Sequence, residues 1–322
     1  MGATTRDIFG QAQSAEPATP GSYGEHPQGH RLPATTRLGP VHLQVADLSR
    51  SLAFYERVLG LEPVERNSDG ASLAPQGTHA PLIVLHEHRG AQAVPRRGAL
   101  GLYHFAILLP DRPALGRFLR HLGDLGARAG AADHLVSESL YLQDPDNLGI
   151  EVYADRPRGT WRRVDRELMM ATDPLDIEGL LEAAGSVQWS GMPVGTTMGH
   201  VHLHVGDIAQ ASAFYSEGLG FDRMVWHYPG ALFLAAGGYH HHLGTNTWAG
   251  SGAAPARPHD ARLLEWTIEL PDAASVNAVH ENLARAGHSG DLRDDQTELV
   301  TRDPWGTQVR LLVADRTRLG KE

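Results

Sequence analysis

The sequence contains no cysteine. Disulfides, thiolate metal sites and a cysteine nucleophile are excluded together, so any metal must be held by His, Asp or Glu. Positive charge is also in deficit. The formal net charge is -10 at pH 7, which gives a nucleic-acid partner no electrostatic support. No segment is apolar enough to span a membrane. About the first 35 residues are rich in Gly, Pro, Ser, Thr and Gln and lack the apolar stretch of a secretion signal. The expectation is a cytoplasmic protein with no membrane partner and a disordered tail over residues 1–37. Of 322 residues, 41% are hydrophobic and 20% charged, which is ordinary for a globular chain of about two domains.

Histidine, by contrast, is plentiful, with 19 in the chain, three of them consecutive in "GGYHHHLGTNTW" at residues 237–248. Read as a strand, this stretch turns His240 and His242 to one face and His241 to the other, so the three cannot bind one metal together. In isolation the run is better read as solvated or hydrogen-bonded histidines, and its partners must come from elsewhere.

The chain repeats itself. "VHLQVADLSRSLAFYERVLGLEPV" from Val41 matches "VHLHVGDIAQASAFYSEGLGFDRM" from Val201: His42 pairs with His202, Asp47 with Asp207, Phe54-Tyr55 with Phe214-Tyr215 and Gly60 with Gly220. Each copy opens with an alternating strand. An Asp then stands where a helix N-cap belongs, and the helical stretch ends at Leu-Gly. Apolar runs such as "PLIVLHEH" and "ALFLAAG" read as further strands. A looser pair, "LYHFAILLPD" from Leu102 and "LLEWTIELPD" from Leu263, is followed in each case by a helical stretch and a "DP…G" turn. The chain therefore holds four strand-helix-strand-strand-strand units, beginning near residues 40, 102, 199 and 263. The expected domains are an N-terminal pair of units over 38–155, a connector over 156–196 and a C-terminal pair over 197–316.

Four such units, with "FY…LG" helices and "DP…G" turns, resemble the vicinal oxygen chelate superfamily. "GLYHFAILLPDR", "YLQDPDNLGIEVYADRPR", "MGHVHLHVGD" and "GGYHHHLGTNTWAG" resemble its extradiol ring-cleavage dioxygenases, over about residues 38–315. The resemblance implies an α+β fold in which βαβββ modules form open barrels around one divalent metal. His134, Leu140, Tyr141, Asp144, Pro145 and Glu151 fit the extradiol signature in order. Ala132 and Asn147 depart from it, the second mildly, because Asn tolerates a left-handed turn.

Glu151 stands between apolar neighbours in "GIEVY", and a buried carboxylate needs a cation or a partner. His104, alone on its strand, would otherwise be a hydrogen-bonded core histidine. The fourth unit has Glu265 where the second has His104, and Arg310 where it has Glu151; an Arg cannot ligate a metal. The third ligand is expected on the first strand of a partner unit, where "HVHLHV" puts His200, His202 and His204 on one face. His202 has a counterpart in His42 whereas His200 corresponds to Pro40, and His200 falls in the family's register for that ligand. The expected ligands are His104, Glu151 and His200, with unit two paired to unit three and unit one to unit four.

By resemblance, the metal is Fe(II), with Mn(II) accepted by the same ligands, and the partners are a small-molecule catechol and O2. Homo-oligomerisation is compatible with the sequence. His241 falls at the family's acid–base position, His134 and Tyr141 at groups that bond substrate oxygens, and His202, Asn246 and Trp248, with Trp226 and Tyr228, on the pocket wall. Two other functions compete. A glyoxalase-like isomerase needs a fourth ligand that "HHHLGTNTW" does not offer, and a non-enzymatic binding member of the superfamily leaves the ordered signature unexplained.

Overall fold

The computed structural model describes residues 2–9, 15–95 and 98–314. The four units are built alike. The first runs Arg37–Val45, helix Leu48–Arg57, then Glu62–Arg66, Gly70–Ala74 and Ile83–Glu87; the second runs Gly101–Leu108, helix Arg112–Asp124, then Gly130–Asp133, Ser137–Gln143 and Gly149–Asp155. The third has Thr197–His204, a helix Ile208–Ser212 that widens into a π-helical turn over Ala213–Gly218, and strands Asp222–Val225, Ala231–Ala235 and Leu243–Asn246; the fourth has Arg262–Leu270, helix Ala273–Arg285, then Glu298–Arg302 and Gln308–Val313 after a short Gly290–Leu292.

The caps expected at Asp47 and Asp207 are present, and the second and fourth units carry the same cap. Asp47, Asp111, Asp207 and Asp272 each accept a hydrogen bond from the backbone N–H three residues on. Each cap satisfies an N–H that the helix leaves unpaired and is worth about 1 kcal/mol. Gly60 and Gly220 follow their helices at φ of 73° and 100°, where a side chain would be strained.

Two eight-stranded sheets result. One joins units two and three through their first strands, which run antiparallel with His202 opposite His104; the other joins units one and four, with Glu265 opposite His42. In each unit the first strand also pairs in parallel with the last. The pairing across chain order is therefore as expected, and the sheets cut across the N-terminal and C-terminal halves of the sequence. Strand alternation then sorts the side chains. Phe105, Ile107, Ile150, Val152, Val201 and Leu203 enter the common apolar core with Tyr55, Phe118, Phe214 and Trp266, while His104, Glu151 and His200 face the other way, into the barrel.

The reading of residues 1–37 as a disordered tail does not describe residues 15–36. Tyr23 and Leu32 are buried. The Tyr23 hydroxyl donates to the Gly238 carbonyl, and the Arg31 guanidinium grips the Asp222 carboxylate at 2.6–3.0 Å. Glu16–Pro17 pairs with Arg162–Val164, which pairs with Glu167–Leu168, so the connector and the N-terminal segment share a small sheet. Among the described residues, no helix is long and apolar enough to cross a membrane.

Candidate metal centre and its cavity

His104, Glu151 and His200 converge on one point. His104 Nε2 and Glu151 Oε2 are 3.0 Å apart, His200 Nε2 and Glu151 Oε2 3.2 Å, and the two Nε2 atoms 3.3 Å. The three residues are 5%, 2% and 1% exposed, so water does not separate these donors. Adjacent corners of an octahedron around an ion with bonds of roughly 2.1 Å lie roughly 3.0 Å apart. The triangle therefore has the size of one face of such a site, and the donor set of two imidazoles and a carboxylate suits a divalent transition metal. Among the described residues, this is the single cluster of three or more such groups.

The electrostatics keep the donors in their ligating forms. Burial alone pushes the Glu151 carboxyl up, but His200 and His104 together hold it well below the usual carboxylate range. Burial lowers His200 to about 4 against the pull of Glu151. An ionised carboxylate beside a neutral His200 is the state a metal requires of these two. Ser139 Oγ donates to Glu151 Oε1 at 2.6 Å and orients it from behind. His200 Nδ1 is buried without a hydrogen-bond partner, so that ring is set by packing against His241 at 4.1 Å and Tyr153 at 5.0 Å between centroids.

The triad lies at the wall of a cavity of about 970 Å³. His134, Tyr141, His202, His241, Tyr228 and Trp248 line it, together with Tyr103, His204 and Phe233. His134 Nδ1 donates to the Ala171 carbonyl at 2.6 Å, which leaves Nε2 to accept from the Tyr141 hydroxyl at 2.5 Å. Burial above all, with Glu151 adding to it, pushes the Tyr141 phenol well up, so it stays a neutral donor.

Two expected wall residues lie elsewhere. Asn246 is fully buried behind the wall. Its Nδ2 donates to His202 Nε2 at 2.9 Å, and its Oδ1 accepts from His204 Nδ1 at 2.7 Å and from the Trp248 N–H at 2.9 Å. It positions three cavity residues and touches nothing in the cavity. Gly244 leaves the room this requires, since a Cβ there would lie 2.8 Å from the His202 ring. Trp226 is not among the cavity residues and packs against the core.

The three-histidine stretch is not a strand. Gly237 and Gly238 both adopt positive φ, 62° and 67°, and regular pairing begins only at Leu243. The period-two argument thus does not apply to it, yet His241 does reach the cavity while His240 and His242 do not. His240 Nε2 meets Asp155 Oδ1 at 2.9 Å, and His242 Nδ1 accepts the Ala236 N–H at 3.2 Å. Burial first, then His200 and His240, hold His241 well below the usual histidine range, so it is neutral.

Sequence reasoning missed Ser139 and Tyr103. Ser139 was accessible to it, because period two places it on the Tyr141 face of its strand. In the sheet of units one and four, Arg310 Nε donates to Glu265 Oε1 at 2.6 Å, and Arg310 also pairs with Glu298. A guanidinium stands there in place of a metal ligand.

Comparison with known proteins agrees with this layout. The family model described as glyoxalase/bleomycin resistance protein/dioxygenase superfamily matches residues 37–152 and 197–311. A catechol-2,3-dioxygenase of Bacillus subtilis (strain 168) is 45% identical over 273 residues, which is 84% of this chain and 94% of that protein. A candidate dioxygenase from Bacillus subtilis subsp. subtilis str. 168 superposes with a TM-score of 0.60 at 13% identity, over 88% of this chain and 86% of that one. Glyoxalase I from Zea mays superposes at 0.52 and 18% identity, over 87% and 92%. At such identities the two structures speak for the fold alone.

Proposed function

Given that the chain belongs to the glyoxalase/bleomycin resistance protein/dioxygenase superfamily, we propose that it is an extradiol dioxygenase, cleaving catechol or a substituted catechol with O2 to a 2-hydroxymuconic semialdehyde. The observation that carries this reading is the His104–Glu151–His200 triangle at the wall of a cavity that also presents His241, His134 and Tyr141. The B. subtilis relative, by its name, acts on catechol. A four-ligand isomerase has no support at the site, because the last strand of unit three, Leu243–Asn246, brings no carboxylate to it.

The triangle would hold Fe(II), or Mn(II), on one face. When bound, the ion supplies a Lewis acid for the two vicinal oxygens of the diol and a path for electrons to O2. The chain's own residues supply the rest. His241, neutral and beside His200, accepts a proton from a catechol hydroxyl and later returns it to the product side. Tyr141, whose proton is given to His134 Nε2, accepts from a catechol hydroxyl and fixes the ring's orientation. Tyr103, Phe233 and Trp248 give the diol's ring an apolar wall.

The test is anaerobic loading with Fe(II), followed by a panel of catechols in air. A yellow semialdehyde containing both atoms of labelled O2 is expected. A cis,cis-muconate product, cut between the hydroxyls, overturns the reading.

A further inference from the structure

Behind the cavity a line of hydrogen bonds runs from His241 to the half-buried Asp155. His241 Nδ1 lies 2.7 Å from His240 Nδ1, and His240 Nε2 lies 2.9 Å from Asp155 Oδ1. The same carboxylate oxygen accepts the Tyr239 hydroxyl at 3.1 Å, and Tyr239 is 2.7 Å from the Tyr153 hydroxyl. His240 is 0% exposed, so no water substitutes for these partners. His241 Nε2, on the other side of its ring, makes no hydrogen bond among the described residues.

We infer that Asp155 and His240 are positioning residues that hold His241 in a single tautomer, protonated on Nδ1 and bare on Nε2, the nitrogen left for the cavity. The order of donors follows from the carboxylate. An ionised Asp155 can only accept, so His240 Nε2 carries the proton between them. With a single ring proton, placed on Nε2, His240 has a bare Nδ1, which must receive the Nδ1–H of His241. The reverse tautomer would put the His240 proton on Nδ1 and set a bare Nε2 against a carboxylate oxygen, two acceptors in contact in a buried site. The chain thus presents a ready proton acceptor before any substrate arrives. The consequence for turnover rests on the proposed acid–base role of His241; the tautomer does not.

The test uses protein labelled with 15N in histidine and loaded with Zn(II), read by long-range proton–nitrogen correlation. The His241 signals are identified by their loss in His241→Gln. The wild type is expected to show Nδ1 protonated and Nε2 bare. His240→Leu removes the acceptor and should give a mixture of tautomers. His240→Asn places an amide oxygen near the lost Nδ1 and should restore the wild-type state. Asp155→Ala, at the accessible end of the line, should also give a mixture while leaving every imidazole in place. In Fe(II)-loaded enzyme with catechol, His240→Leu should lower kcat by about 10²-fold, the lower end of what a proton-transfer group contributes. KM should change little, and His240→Asn should recover most of the rate. A wild-type His241 protonated on Nε2, with His240 protonated on both nitrogens, overturns the inference. So does a His241 tautomer unmoved in both His240→Leu and Asp155→Ala. A tautomer that shifts as expected while kcat stays constant upholds the inference and removes His241 from the acid–base role.

Discussion

Ser139→Ala tests whether Glu151 is a ligand set from behind or only a buried partner of two histidines. Ser139 Oγ donates to Glu151 Oε1 at 2.6 Å, while Oε2 is the atom turned to both imidazoles. The substitution removes one hydroxyl from a buried strand position and leaves all three donors in place. A hydrogen bond to a charged group is worth about 1.5–3 kcal/mol, but the metal-free protein loses it too, so most of that cost appears as stability and not as affinity. What the metal feels is the freed rotation of the carboxylate. Loss of such an orienting partner typically weakens binding about 10–100-fold, or roughly 1.4–2.7 kcal/mol. Anaerobic competition of Fe(II) against a chelator of known affinity measures it directly. Glu265→Gln serves as the control, because Glu265 faces Arg310 in the other sheet and should leave affinity unchanged. An unaltered dissociation constant in Ser139→Ala would refute the idea that Glu151 ligates through an oriented Oε2.

His104→Ala, His200→Ala and Glu151→Ala should each empty the centre of iron and abolish ring cleavage; full iron occupancy in His200→Ala would separate unit three from the site. His241→Asn should retain iron and catechol KM but lose about 10²–10⁴ in kcat, whereas His242→Ala, whose ring bonds the Ala236 N–H away from the cavity, should lose far less. Asp144 tests stability against pH: burial, with Asp146 adding to it, raises its pKa from 3.8 to about 7. The folded protein therefore holds a proton that the unfolded chain releases, and stability should fall as pH rises from about 4 to about 7. Asp144→Asn, which keeps an acceptor for the N–H groups of Asp146 and Leu148, should flatten that fall in thermal melts, and parallel melting profiles of variant and wild type would exclude Asp144 as its source.

What was legible in the sequence was whatever repeats or cannot be left unpaired. The Asp-capped helices of units one and three and the strand-helix-strand-strand-strand order recur along the chain, so one copy predicts the next. Glu151 in an apolar strand demanded a cation, and Arg310 at the matching place in unit four excluded one, which together located the centre between units two and three. What was hidden depended on contacts that no local pattern encodes. The N-terminal segment is polar by composition, yet buried Tyr23 and Leu32 and the Arg31–Asp222 ion pair hold it against unit three, and the His30 N–H donates to Asn282 of unit four. Asn246 looked like a wall residue because its strand is adjacent to the cavity; only the positions of His202 and His204 on either side of its amide reveal that it stands behind them.

The three histidines show the same limit most sharply. Alternation along a strand would have grouped His240 with His242, but two successive glycines at positive φ break the strand before the run begins, and each imidazole then answers to a different neighbour: His240 to Asp155, His241 to the cavity and His242 to a backbone N–H. The two sheets make the complementary point. A carboxylate stands in both sheets, Glu151 in one and, at the place matching His104, Glu265 in the other, and each is held below the usual range by its hydrogen-bonding neighbours. Where those neighbours include Arg310, the compensating charge is tethered to the chain and the barrel wall is closed to chemistry. Where the neighbours are two imidazoles, no tethered charge closes the triangle, and His104, Glu151 and His200 are left open to a metal ion.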